Sequence, residues 1–142
     1  MLVCLVTGTR DLTGAQTDRI IARFDALFDD AARHNNGLLM LHGGAKGVDD
    51  ACERWVDNHP SKYVHSLVIK ARWSLPGLPR NRAGGPIRNS MLGTTLDAFR
   101  TAENSVCAEC FPGPESIGTH DMIARLRKLG IEHLTITDLF NP

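Results

Sequence analysis

No excess of either charge, no long apolar run and no paired set of cysteines stands out in this chain of 142 residues. Sixteen Lys and Arg balance sixteen Asp and Glu. Bulk charge therefore argues against a protein that coats nucleic acid or an anionic membrane. The apolar runs are strand-sized and too short to cross a bilayer. Leu2 to Val6 is also too short for the apolar region of a secretory signal. Four cysteines are present, and Cys107 and Cys110 form a Cys-x-x-Cys with no second pair at matching spacing. In a strand, residues three apart point to opposite faces, so the thiols read as buried structural groups rather than a metal or redox site. Gly-x-x-x-x-Gly-Lys-[Ser/Thr], Gly-x-Gly-x-x-Gly, Gly-x-Ser-x-Gly and His-Glu-x-x-His are all missing. Their absence speaks against a Walker ATPase, an NAD dehydrogenase, a serine hydrolase of the elbow type and a zinc peptidase. What remains is a soluble, cytoplasmic protein (host cytoplasm if a virus encodes it) with no implied metal or cofactor.

Length and composition suit one domain over residues 1–142, with 42% hydrophobic residues to fill a core. Leu2 to Val6 reads as a buried strand ending in Thr7-Gly8-Thr9-Arg10. Thr13 and Gln16 have capping-box spacing, and Ile20, Ile21, Phe24, Leu27 and Phe28 recur with a helical period. Strand, glycine turn and helix then repeat. Leu38 to Leu41 runs into His42-Gly43-Gly44-Ala45-Lys46-Gly47, and a helix carries Val48, Ala51, Cys52 and Trp55 on one face. Tyr63 to Ile69 is a third strand, and Lys70 to Gly85, with three Gly, two Pro and three Arg, is a long loop. A helix from Pro86 to about Arg100, a strand from Ser105 to Phe111, a helix from Ile117 to Leu129 and a strand from Glu132 to Ile136 complete the chain. Alternation of this kind predicts an α/β domain: a Rossmann-like, three-layer arrangement around a mostly parallel five-stranded sheet of order 3-2-1-4-5.

Sheets of that type bind ligands at the carboxyl ends of their strands, where the strand order reverses. Gly8 falls there after the first strand, Gly43, Gly44 and Gly47 after the second, and Gly113 and Gly118 after the fourth. Each leads toward a helix start whose free amides attract phosphate or carboxylate. Charge placement agrees, because no acidic residue lies between Asp57 and Asp97 while Lys62, Lys70, Arg72, Arg80, Arg82 and Arg88 do. Arg88 opposes the dipole of its own helix, so a second task for it is expected. Asp49 suits either a ribose hydroxyl or the start of the second helix. Trp73 suits either stacking on a base or anchoring the long loop. His42 and His120 lie near the same edge, where a lone histidine is more often structural than acid–base.

These residues also resemble a known family. Val6-Thr7-Gly8-Thr9-Arg10, then Leu41-His42-Gly43-Gly44-Ala45-Lys46-Gly47-Val48-Asp49, Ala71-Arg72-Trp73, Arg88-Asn89-x-Met91 and Phe111-Pro112-Gly113 with Gly118-Thr119-x-Asp121-Met122 are similar to the YspA-type, YpsA-related branch of the SLOG superfamily. That superfamily includes the Lonely Guy phosphoribohydrolases and the DNA-processing protein fold. The resemblance implies a nucleotide or nucleotide-derived ligand held by Gly8, Thr9, Arg10, Gly43, Gly44, Ala45, Gly47, Asp49, Arg88, Asn89, Pro112, Gly113, Gly118 and Thr119. It also allows a homodimer. In the phosphoribohydrolases the motif Pro-Gly-Gly-x-Gly-Thr-x-x-Glu supplies a carboxylate near the sugar. Here Met122 stands at the Glu position, and Asp121 and Glu115 are the carboxylates nearby. A sensor or sequestering module is therefore the first expectation. A nucleoside 5′-monophosphate phosphoribohydrolase, an N-glycosidase, is the second, and DNA binding a weaker third.

Overall fold

The computed structural model describes residues 1–59, 61–73, 83–114 and 116–137. Nine elements alternate through them: β1 (Leu2–Gly8), α1 (Gly14–Arg33), β2 (Leu38–His42), α2 (Val48–Asp57), β3 (Val64–Val68), α3 (Gly84–Thr101), β4 (Ser105–Phe111), α4 (Ile117–Leu129) and β5 (His133–Thr135). All strand pairings are parallel and the order is β3-β2-β1-β4-β5. This is the expected Rossmann-like α/β sheet in the expected order. Among the described residues no helix is long and apolar enough to cross a membrane.

Period-two alternation along β1 explains the three layers. Cys4 and Val6 point to one face, where they meet Ile20 and Phe24 of α1 and Val48, Cys52 and Trp55 of α2. Val3 and Leu5 point to the other, against Leu92 and Leu96 of α3 and Met122, Ile123 and Leu126 of α4. Cys107 and Cys110 likewise divide between the two faces. Burial pushes the Cys52 and Cys110 thiols up, Cys110 to about 12. A thiol held protonated in this way is a poor nucleophile and a poor ligand.

Local signals set the helix ends. Thr13 Oγ1 accepts from the Gln16 amide at 3.2 Å while Gln16 Oε1 accepts from the Thr13 amide at 2.9 Å, which closes the capping box. Gly130 ends α4 in the left-handed conformation, φ 68°. Two expectations shift. Strands β3 and β5 each lose a residue at both ends relative to the sequence reading, as is usual for frayed edges. Helix α3 starts at Gly84 instead of Pro86. Gly84 and Gly85 belong to the helix because Trp73 lies on them: a Cβ at Gly85 would stand 2.8 Å from the indole, and one at Gly84 2.6 Å from the Arg72 carbonyl.

Candidate functional site

Strand β1 is central, with β2 on one side and β4 on the other. The chain leaves β1 toward α1 on one face and leaves β4 toward α4 on the opposite face, so a crevice opens between the two loops. A cavity of about 830 Å³ occupies it. Gly8, Thr9, Arg10, Ala45, Asp49, Trp73, Arg88, Asn89, Gly118, Thr119 and Asp121 all border this space. Gly43, Gly44, Gly47, Pro112 and Gly113 are not among the residues that border it. Glu115, Arg80 and Arg82 lie outside the described residues.

Glycines in the loops around the cavity allow those loops to close on one another. Gly47 has φ 79° and ψ −119°, and a Cβ there would overlap the Thr9 carbonyl and stand 2.7 Å from the Arg10 backbone. At Gly113 a Cβ would come within 2.7 Å of Thr9 Oγ1. Gly43 gives its space to the Arg88 guanidinium, which a Cβ would overlap.

The amides after β2 point elsewhere than the sequence reading assigned them. Gly43 and Ala45 donate to Asp49 Oδ2 at 3.1 and 3.2 Å, and Gly44 donates to His42 Nδ1 at 3.0 Å. Asp49 lies in the first turn of α2, directly above that loop, and captures its amides before any ligand can. The Thr9 amide is also taken, by the Phe111 carbonyl at 3.0 Å. His42 is fully enclosed: with Nδ1 accepting from Gly44, its Nε2 is the protonated nitrogen and donates to Glu53 at 2.7 Å. That leaves it a structural histidine, while His120 is exposed.

Free amides are found at α4. Ser116 precedes the helix without capping it, because its hydroxyl accepts from Gly113 at 2.7 Å instead. Among the described residues the amides of Ile117, Gly118 and Thr119 have no partner, and the first turn holds no acidic residue. Thr119 is thus the third residue of α4, and it is buried.

Around that helix start runs a chain of side chains. Arg88 donates to the Gly43 carbonyl at 3.3 Å and to Asn89 Oδ1 at 3.1 Å. Asn89, 3% exposed, donates in turn to the Gly118 carbonyl and to Asp121 Oδ2, both at 3.0 Å. Arg125 adds a third bond to this cluster, to Asp121 Oδ2 at 3.0 Å. Burial works to raise the Asp121 pKa, but the Asn89 and Arg125 bonds prevail and hold it below the ordinary carboxylate value. Asp121 is an ionised carboxylate in the cavity wall. Met122, by contrast, is fully buried between α3 and α4. Burial lowers the Arg88 pKa, and the nearby Arg10 charge pushes the same way against the pull of Asp49. No carboxylate pairs with Arg10 among the described residues.

Asp11 and Gln16 also border the cavity, unforeseen from the sequence. Gln16 was visible as a capping-box member, and that local task hid its position at the crevice. Away from that cavity, the buried Glu109 is bound by Arg23 at 2.9 and 3.2 Å. A charge in the apolar run Cys107 to Phe111 was its signal.

No protein-family model matches the chain. The crystal structure of the nicotinamidase SaPncA from Staphylococcus aureus overlaps 94% of this chain and 98% of its own, with 13% identity and a TM-score of 0.43. That likeness is too loose to transfer a ligand or a reaction. The Gene 61 protein of Mycobacterium phage D29 is 30% identical over 136 residues, covering 94% of this chain and 95% of its own. At that identity and coverage, the chain belongs to the family of the phage D29 Gene 61 protein.

Proposed function

We propose that the chain binds a nucleotide or nucleotide-derived ligand in the crevice between the β1 and β4 loops, as a sensor or sequestering module of the SLOG type. The observation that carries this reading is the meeting of Arg10, Arg88 and the uncapped start of α4 on one cavity. Arg88, whose charge the nearby Arg10 disfavours, lies with Arg10 beside a helix start that has no acidic residue in its first turn, and this arrangement calls for an anion. Trp73, beside the start of α3, offers an aromatic wall for a base. A volume of about 830 Å³ suits a ligand of nucleotide size.

A second reading, N-glycosidic cleavage of a nucleoside 5′-monophosphate, is favoured by one observation. Asp121 is ionised and, among the described residues, is held by Asn89 and Arg125 on one oxygen only, which leaves the other to face an oxocarbenium-like sugar. A thermal-shift screen against nucleoside mono-, di- and triphosphates, cyclic nucleotides and ADP-ribose derivatives, followed by chromatography of each mixture, separates the two. A shift with intact ligand is expected; released free base would favour the glycosidase, and no shift from any nucleotide would overturn both.

Gly118 gives a sharper check. Its φ is not positive, and a Cβ there would meet nothing within 4 Å. The protein itself has no steric need of glycine in this helical turn, where alanine is preferred by about 0.5–1 kcal/mol. A ligand approaching the α4 amides does need the space. Gly118→Ala is therefore expected to hold or raise the melting temperature while weakening nucleotide binding by about tenfold or more, one displaced anion contact. Unchanged affinity in the stabilised variant would remove the α4 start from the site.

A further inference from the structure

Asp49 keeps one oxygen without a partner. The residue is 6% exposed, its Oδ2 accepts from the amides of Gly43 and Ala45, and Oδ1 is buried with no hydrogen bond among the described residues. A buried acceptor in that state calls for an occupant. Arg88 lies close by, since both side chains close on Gly43 and each charge acts on the other. Yet Arg88 donates to the Gly43 carbonyl and to Asn89, not to Asp49, and its Nη2 keeps its protons free among the described residues. Asp49 and Arg88 both border the cavity.

The group that fits between an unfilled carboxylate oxygen and an unfilled guanidinium nitrogen must donate to the first and accept from the second. A phosphate or carboxylate oxygen has no proton for Asp49, and an ammonium has no lone pair for Arg88. A hydroxyl, like a water, has both. From this we infer that Asp49 and Arg88 together bind a sugar hydroxyl of the ligand, and that the site selects ribonucleotides over their dideoxy counterparts. The inference rests on the nucleotide reading of the same cavity and adds to it the part of the ligand that Asp49 recognises.

The test titrates the protein with AMP, GMP, CMP and UMP and with their 2′,3′-dideoxy forms by calorimetry. At least one ribonucleotide is expected to bind about tenfold or more tighter than its dideoxy form, because a polar site left unfilled penalises the analogue. Asp49→Asn keeps an oxygen for the loop amides but turns the open position into a donor. It should bring the two forms within about twofold. Equal binding of both forms by the parent protein overturns the inference alone, marks the gap as a water site, and needs no variant to fold. A full preference surviving in Asp49→Asn overturns it as well. Failure of every nucleotide to bind overturns the nucleotide reading and this inference with it.

Discussion

Gly47→Ala is expected to destabilise the protein by about 3 kcal/mol, which combines backbone strain with overpacking. Gly47 sits at φ 79° and ψ −119°, a conformation that a side chain makes costly. Space is lacking as well, since a Cβ would overlap the Thr9 carbonyl and crowd the Arg10 backbone at 2.7 Å. Those atoms cannot retreat easily: the Thr9 carbonyl accepts from the Val48 amide at 3.1 Å and the Thr9 amide donates to the Phe111 carbonyl at 3.0 Å. In a domain of this size the loss corresponds to a melting temperature lower by roughly 10 °C. Chemical denaturation checks it, and a loss below about 1 kcal/mol would mean the loop has another arrangement within reach. Gly118→Ala is the natural contrast, because there the same methyl group meets only open space.

Arg88→Ala is expected to weaken binding of phosphorylated ligands by roughly 10- to 150-fold, the range for a hydrogen bond to a charged group. The matching unphosphorylated nucleoside should lose distinctly less, since only its sugar hydroxyl meets Arg88. Stability should change much less than binding. Among the described residues Arg88 holds a carbonyl and the Asn89 side-chain oxygen, while the amide nitrogen of Asn89 keeps its bonds to Gly118 and Asp121. Calorimetric titration of the nucleotide and its nucleoside against both proteins distinguishes the outcomes. Equal losses for the two ligands would remove Arg88 from the phosphate and leave Arg10 and the α4 amides to hold it.

The fold was legible because its information is local. A continuous apolar run placed β1, the Thr13–Gln16 pair placed the start of α1, and Gly130 placed the end of α4. Position along the chain also indicated which edge of the sheet holds the cavity. Contacts distant in sequence were not legible. Gly84 and Gly85 looked like loop because the indole that makes them necessary is more than ten residues away. The turn after β2 looked like a cradle of free amides, and only the folded chain shows Asp49 taking two of them and His42 the third. Asp49, expected either at a ribose hydroxyl or at the start of the second helix, also organises the loop after β2 through one oxygen, while the other is buried without a hydrogen bond among the described residues.

That arrangement bears on the entropy of binding. A glycine-rich turn would ordinarily sample many conformations and surrender about 1–2 kcal/mol per residue when a ligand fixed it. In this chain folding has already fixed the turn, through the hydrogen bonds from Gly43, Gly44 and Ala45 to Asp49 and His42. A ligand arriving on that floor has no turn left to order, so more of each contact it makes is retained as affinity.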